Sequence, residues 1–233
     1  MFSRPRELIR RYPGGQNYTS QHALLGGSST YTLDHGRFDF WALSGHQDNL
    51  RTLKFIRSCP DFSASSISDD NDRALSFPRL AEISGDFEHI VAIVPNQPIT
   101  SVTVRLFTPI MVSVRDFARA LGLSAGPLKK LELIAAGETG IPWDTIRIIG
   151  ETGVGATLRT LTIRMAYDWE PGKAPIPKKE IERFTAFHLL ERFELCAPTY
   201  LSTGPAETEQ SLDDWKHYCP NLRSVKLLGA VLN

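Results

Sequence analysis

One short phrase recurs along this chain: an apolar residue, two variable ones, an apolar residue, one variable, and an apolar residue. It reads Leu50-Arg-Thr-Leu53-Lys-Phe55, Ile99-Thr-Ser-Val102-Thr-Val104, Leu128-Lys-Lys-Leu131-Glu-Leu133 and Leu158-Arg-Thr-Leu161-Thr-Ile163. It returns as Leu190-Glu-Arg-Phe193-Glu-Leu195 and Leu222-Arg-Ser-Val225-Lys-Leu227. A weaker copy, Leu80-Ala-Glu-Ile83-Ser-Gly85, has lost its third apolar place. Successive copies start 30, 19, 29, 30, 32 and 32 residues apart. The fourth and sixth positions are two apart, which puts their side chains on one face of a strand.

Segments of helical spacing lie between the strands. Phe87, Ile90, Val91 and Val94 share one helix face, as do Val114, Phe117, Ala118 and Leu121. Trp143, Ile146 and Ile149 precede the next strand, then Ile181, Phe184 and Phe187, then Leu212, Trp215 and Cys219. Asp86 and Ser113 stand where a helix cap helps, and Pro142 where a first-turn proline does. A lone strand–helix unit cannot bury both its strand face and its helix stripe, whereas stacked parallel copies bury both. The expected fold is therefore α/β, a solenoid with parallel strands on its concave face and helices on its convex face. A doubly wound sheet also alternates strand and helix but does not require every strand to carry the same phrase.

Composition narrows the partners. The 26 Lys+Arg balance 26 Asp+Glu, so no surplus of cations argues for nucleic-acid or acidic-membrane binding. Three cysteines, Cys59, Cys196 and Cys219, are too few and scattered for a disulfide framework. Reduced thiols and an intracellular site, cytoplasmic or nuclear, are expected. No apolar run approaches the roughly 18 residues of a membrane span. The basic residues up to Arg11 have no apolar run behind them, so no secretory signal is expected and the Asn17-Tyr-Thr19 sequon carries no weight. Gly26–Thr30 and Ser63–Asp72 read as exposed loops.

The phrase resembles the leucine-rich repeat over residues 49–233, in about seven strand units. Cys219-Pro-Asn-Leu222 is similar to the Cys-x-x-Leu opening of repeats in F-box proteins, with Phe77-Pro-Arg-Leu80 and Asn49-Leu50 as weaker versions. The irregular lengths resemble the divergent repeats of fungal F-box and leucine-rich-repeat proteins. That resemblance implies a horseshoe serving as the substrate-recognition arm of a ubiquitin ligase, docked to its adaptor by a separate F-box. Two departures stand out. The ninth positions, usually Asn or Cys, are Ser58, Thr108, Ala136, Ala166 and Pro198. Residues 1–48, which hold Phe38, Phe40, Trp41 and Leu43, lack the F-box opening and are expected to form a cap or a degenerate first repeat. Adaptor binding is therefore expected only if an F-box lies upstream.

Catalytic and cofactor motifs fit poorly. Gly150-Glu-Thr-Gly-Val-Gly155-Ala156-Thr157 matches a phosphate-binding loop except at its lysine, which is Ala156. It also precedes a strand rather than a helix, so its glycines are expected to supply left-handed turns. Asp69–Asp72 lacks the glycine and glutamate of a calcium loop, these places being Ala74 and Leu80. Asp213 and His217 share a helix face near Asp214 and Cys219, with no second ligand pair nearby. The six histidines, His22, His35, His46, His89, His188 and His217, have no nucleophile at motif spacing, although a triad could assemble from distant residues. A non-catalytic protein-binding scaffold without cofactor or metal is expected, either a ligase arm or a free-standing repeat protein.

Its candidate site is the row of variable strand residues. Lys54, Arg105, Lys130, Glu132, Arg164, Arg192, Glu194 and Lys226 carry its charge, with Thr52, Ser101, Thr103, Thr160, Thr162 and Ser224 between them. The apolar flank of the last strand, ending at Leu227, is expected to be covered by a short tail, another subunit or further residues.

Overall fold

The computed structural model describes residues 30–33, 48–55, 76–107, 113–136, 143–165, 176, 178–196 and 210–232. Its strands are β1 (Thr30–Leu33), β2 (Thr52–Phe55), β3 (Glu82–Asp86), β4 (Ser101–Phe107), β5 (Lys130–Ala136), β6 (Thr160–Met165), β7 (Arg192–Cys196), β8 (Ser224–Leu227) and β9 (Ala230–Leu232). Its helices are α1 (Phe87–Ile93), α2 (Val114–Gly122), α3 (Trp143–Gly150), α4 (Lys178–Ile181), which runs on into a 3₁₀ turn (Glu182–Phe184), and α5 (Leu212–Lys216). The fold is α/β, with all nine strands in one sheet and in chain order. A doubly wound sheet reverses its strand order at a switch point; this order does not reverse.

The seven copies of the phrase are β2 to β8, and their pairing follows the phrase without slip. Leu53, Ile83, Val102, Leu131, Leu161, Phe193 and Val225, all at the fourth position, are partners across parallel strands. A one-residue slip would turn every aliphatic chain to the wrong face, so the phrase enforces its own register. The first positions, from Leu50 to Leu222, are buried in every copy. Helix residues Phe87, Ile90, Phe117, Leu121, Ile146, Ile149, Phe184 and Trp215 join the same core, so the helices cover one face of the sheet.

A backbone ladder locks the strand entrances. The carbonyl at the second position of each copy accepts two consecutive N–H groups from the next. Arg51 receives Ala81 and Glu82; Ala81 receives Thr100 and Ser101; Thr100 receives Lys129 and Lys130. Lys129 receives Arg159 and Thr160, Arg159 receives Glu191 and Arg192, and Glu191 receives Arg223 and Ser224, all between 2.8 and 3.2 Å. The opening turns are local versions of the same economy: Leu80 N–H donates to Phe77 and Leu222 N–H to Cys219, both 3.0 Å.

The two irregular features of the phrase have a common cause. After β3 the strand's last residue, Asp86, is itself the N-cap of α1, so no loop intervenes and the step shortens to 19. His89 of α1 then reaches back over Gly85. A Cβ on Gly85 would lie 3.0 Å from the Phe55 ring and 3.1 Å from His89. The His89 ring stacks on Phe55 with centroids 3.9 Å apart, filling the space that Val104, Leu133 and Ile163 fill in later copies. The missing aliphatic residue is replaced from the helix.

β1 falls within residues 1–48 and pairs in parallel with β2, Tyr31 opposite Leu53 and Leu33 opposite Phe55. The aromatic group around Trp41, the sequon, the loop at 63–72, the calcium-like run and residues 26–29 of the loop expected at Gly26–Thr30 lie outside the described residues, as do the ninth-position side chains. Thr30 itself is not loop but the first residue of β1. At the other end, Leu228 (φ 49°) and Gly229 (φ 95°) form a tight turn that returns the chain as β9, antiparallel to β8. Positive φ at both central residues is the hairpin turn whose twist matches the strands. This short tail buries Leu232 and covers the edge of β8.

Candidate functional site

Alternation along each strand turns the variable residues to the face opposite the helices. Hydrogen-bond register then sorts them into three rows across the sheet. The first runs Thr52, Glu82, Ser101, Lys130, Thr160, Arg192, Ser224. The second runs Lys54, Ser84, Thr103, Glu132, Thr162, Glu194, Lys226, and the third Asp86, Arg105, Ile134, Arg164, Cys196. Apart from Asp86 and Thr162, which are buried, these residues are half-buried or exposed.

Apart from Lys54, the charges of the second and third rows satisfy one another. Arg164 pairs with Glu132, which also accepts the Thr103 hydroxyl at 3.3 Å. Lys226 lies 3.0 Å from Glu194 and holds that carboxyl below the usual carboxylate range. Burial, then the Glu194 charge, raise the Cys196 thiol, which keeps it protonated at neutral pH. Arg105, expected in the binding row, is half-buried there and also ties the sheet together. Its Nε donates to Asp86 Oδ1 at 2.8 Å and its Nη2 to the Phe55 carbonyl at 2.8 Å, joining β2, β3 and β4.

Lys54, Lys130 and Arg192 remain exposed, and among the described residues no side-chain partner holds Lys130 or Arg192. The second-position column, which the sequence reading left out of the site, adds to them: Lys129 and Arg223 are exposed at the strand entrances. Its one acid, Glu191, is bound by Arg159 at 2.7 Å. The signal was present in the sequence as a column of the repeat alignment: Arg51, Ala81, Thr100, Lys129, Arg159, Glu191, Arg223.

No protein-family model, curated protein or solved structure matches the chain. Function has to be read from the surface itself.

The phosphate-loop-like run has the reverse of the required order: Gly150 ends α3 and the chain passes from there into β6. Its glycines are not left-handed; the one glycine of positive φ among the described residues is Gly229. Gly150 and Gly155 are needed for close packing instead. A Cβ on Gly155 would meet the Gly150 carbonyl oxygen at 2.3 Å and that of Ala186 at 2.7 Å, and a Cβ on Gly150 would meet Phe187 at 2.9 Å. Nothing lies within 4 Å of the same position on Gly153. Gly155→Ala is therefore expected to cost about 2–3 kcal/mol, since fixed backbone oxygens cannot swing aside. Gly153→Ala should stay within about 0.5 kcal/mol. Urea midpoints decide the point: equal losses for the two variants would overturn the packing account.

Asp213, Asp214, His217 and Cys219 do not converge. Asp213 faces Lys216 at 3.6 Å, and Asp214 caps α5 with Ser211. Cys219 is buried with Sγ 3.2 Å from the Phe184 carbonyl oxygen, and burial pushes its thiol up to about 12. Among the described residues no three His, Cys, Asp or Glu side chains form a metal-sized group. None of their helices is long and apolar enough to cross a membrane. A groove of about 470 Å³ lies between α2 and α3, on the helix side, with Arg115 and Arg119 on its wall.

Proposed function

We propose that this chain is a non-catalytic protein-binding scaffold, a leucine-rich-repeat-like solenoid with its strands on the concave face and its helices on the convex one. In this reading it resembles the substrate-recognition arm of an F-box ubiquitin ligase, with a protein partner, a ubiquitination substrate among the candidates, lying across the strands. The observation that supports the reading is the open sheet face. Eight adjacent parallel strands hold a largely polar surface, part of which is fixed by cross-strand pairs, Arg164 to Glu132 and Lys226 to Glu194. A surface ordered before binding loses less side-chain entropy when a partner arrives. The Cys219-x-x-Leu222 turn and the in-register phrase support the repeat assignment.

Photo-crosslinking tests it. A benzophenone amino acid at Ser101 or Thr160, on the open face, is expected to capture a discrete protein partner in the native cell. The same group at Glu88 or Arg119, on the helix side, should capture none. Adducts from the helix side alone would refute the scaffold reading. The ligase part needs its own measurement: the longest native transcript should co-precipitate a ubiquitin-ligase adaptor, and failure to do so removes that part.

A further inference from the structure

We propose that the strand-entrance edge of β5 to β8 is a docking site for an extended, acidic segment of a partner protein. The inference rests on the protein-binding reading above and names the chemistry of the partner. Subtracting the paired charges leaves the edge basic. Glu132 is held by Arg164, Glu194 by Lys226 and Glu191 by Arg159. Lys129, Lys130, Arg192 and Arg223 stay exposed, with no side-chain partner among the described residues. The whole chain has zero net charge, so this is a local field and not a general basic character.

The geometry adds spacing to sign. Lys130 and Arg192 share a row, with Thr160 between them. Two strand intervals separate them by roughly 10 Å, about the rise of three residues of extended chain. Lys129 and Arg223 flank them, each immediately before the first residue of β5 or β8. All four residues sit on the doubly bonded ladder, where Lys129 and Lys130 donate to Thr100, Arg192 to Arg159 and Arg223 to Glu191. Their backbones are therefore fixed, and only side-chain freedom is lost on binding. A single-stranded nucleic acid would want aromatic platforms beside the cations. The aromatic residues beside them here, Phe187 and Phe193, are both buried.

The test uses the purified full chain and a fluorescein-labelled peptide with glutamate at every third place between glycines and serines, followed by anisotropy at low and physiological salt. Wild type should bind and weaken with salt. The double variant Lys130→Glu, Arg192→Glu should bind at least about tenfold more weakly, because like charges then face the peptide. The double variant Arg115→Glu, Arg119→Glu makes the same change in net charge on the helix side and should bind as wild type does. Equal loss in both double variants, no binding by wild type, or tighter binding of a single-stranded RNA of equal charge would each overturn the proposal. If the glutamate peptide fails while open-face crosslinks succeed, the acidic-segment proposal falls and the scaffold stands. If the crosslinks fail too, the scaffold reading falls with it.

Discussion

Trp215→Ala is expected to lower the unfolding free energy by about 3–5 kcal/mol, the cost of emptying a large aromatic site in a packed core. Trp215 is fully buried, and its ring stacks on Phe193 at 5.0 Å and meets Phe184 edge-on at 5.2 Å. Phe184 in turn meets Phe193 at 4.9 Å and Phe187 at 6.1 Å. These rings come from α5, β7, the 3₁₀ turn and the segment just after it, so one indole joins the last two units of the sheet. Its Nε1 donates to Gln210 Oε1 at 3.2 Å, which anchors the segment leading into α5. The neighbours cannot close the gap, because the ladder at Arg159 and Glu191 fixes the spacing between β6, β7 and β8. Trp215→Phe keeps most of the aromatic contact and loses the hydrogen bond, so it should cost about 1–2 kcal/mol. Urea unfolding of both variants measures the difference. An alanine variant as stable as the phenylalanine one would mean that the aromatic cluster does not hold the last units.

How far the sequence could be read depended on the range of each interaction. Spacing placed the strands β2 to β8 and the faces of α1, α2 and α3, because period 2 and period 3.6 are local properties of the chain. The same spacing also set the pairing register, since Leu131, Leu161 and Phe193 can share one core only when the phrases align. The return of β9 was less legible: Leu228-Gly229 is a weak turn signal, and three residues are too few for a pattern. The filling of the Gly85 gap by His89 was invisible, because it depends on a side chain reaching back from the next helix. Cross-strand charge pairs lay between these cases. Asp86 and Arg105 both occupy the seventh place of their copies, so alignment of the repeats puts them opposite each other. Their pairing ties Arg105 to the neighbouring strand. The glycines of the 150–155 run misled for the converse reason. Steric demand from Ala186, a loop some thirty residues on, looks in sequence like conformational demand.

Acid should weaken this fold through one histidine. His89 is buried under the Phe55 ring, and its Nδ1 accepts the Asp86 backbone N–H at 3.2 Å. That bond requires the neutral ring with its proton on Nε2. Burial lowers the His89 pKa from 6.5 to about 4; the Asp86 carboxylate opposes this shift and Arg105 adds to it. Between those two values the unfolded chain takes up a proton that the folded chain refuses. Stability must therefore fall as the pH drops through that window and be regained above it. Over about 2.5 units the loss approaches about 3 kcal/mol. His89→Gln retains an acceptor for the Asp86 N–H and removes the titration. Unfolding free energies for both proteins from pH 7 to pH 4 should diverge in slope, with wild type the steeper. Groups remote from His89 contribute equally to both curves, as does the Glu194 carboxyl, which Lys226 holds low. Their difference therefore isolates the imidazole, and parallel curves would show that His89 takes up its proton at the same pH in the folded chain as in the unfolded one.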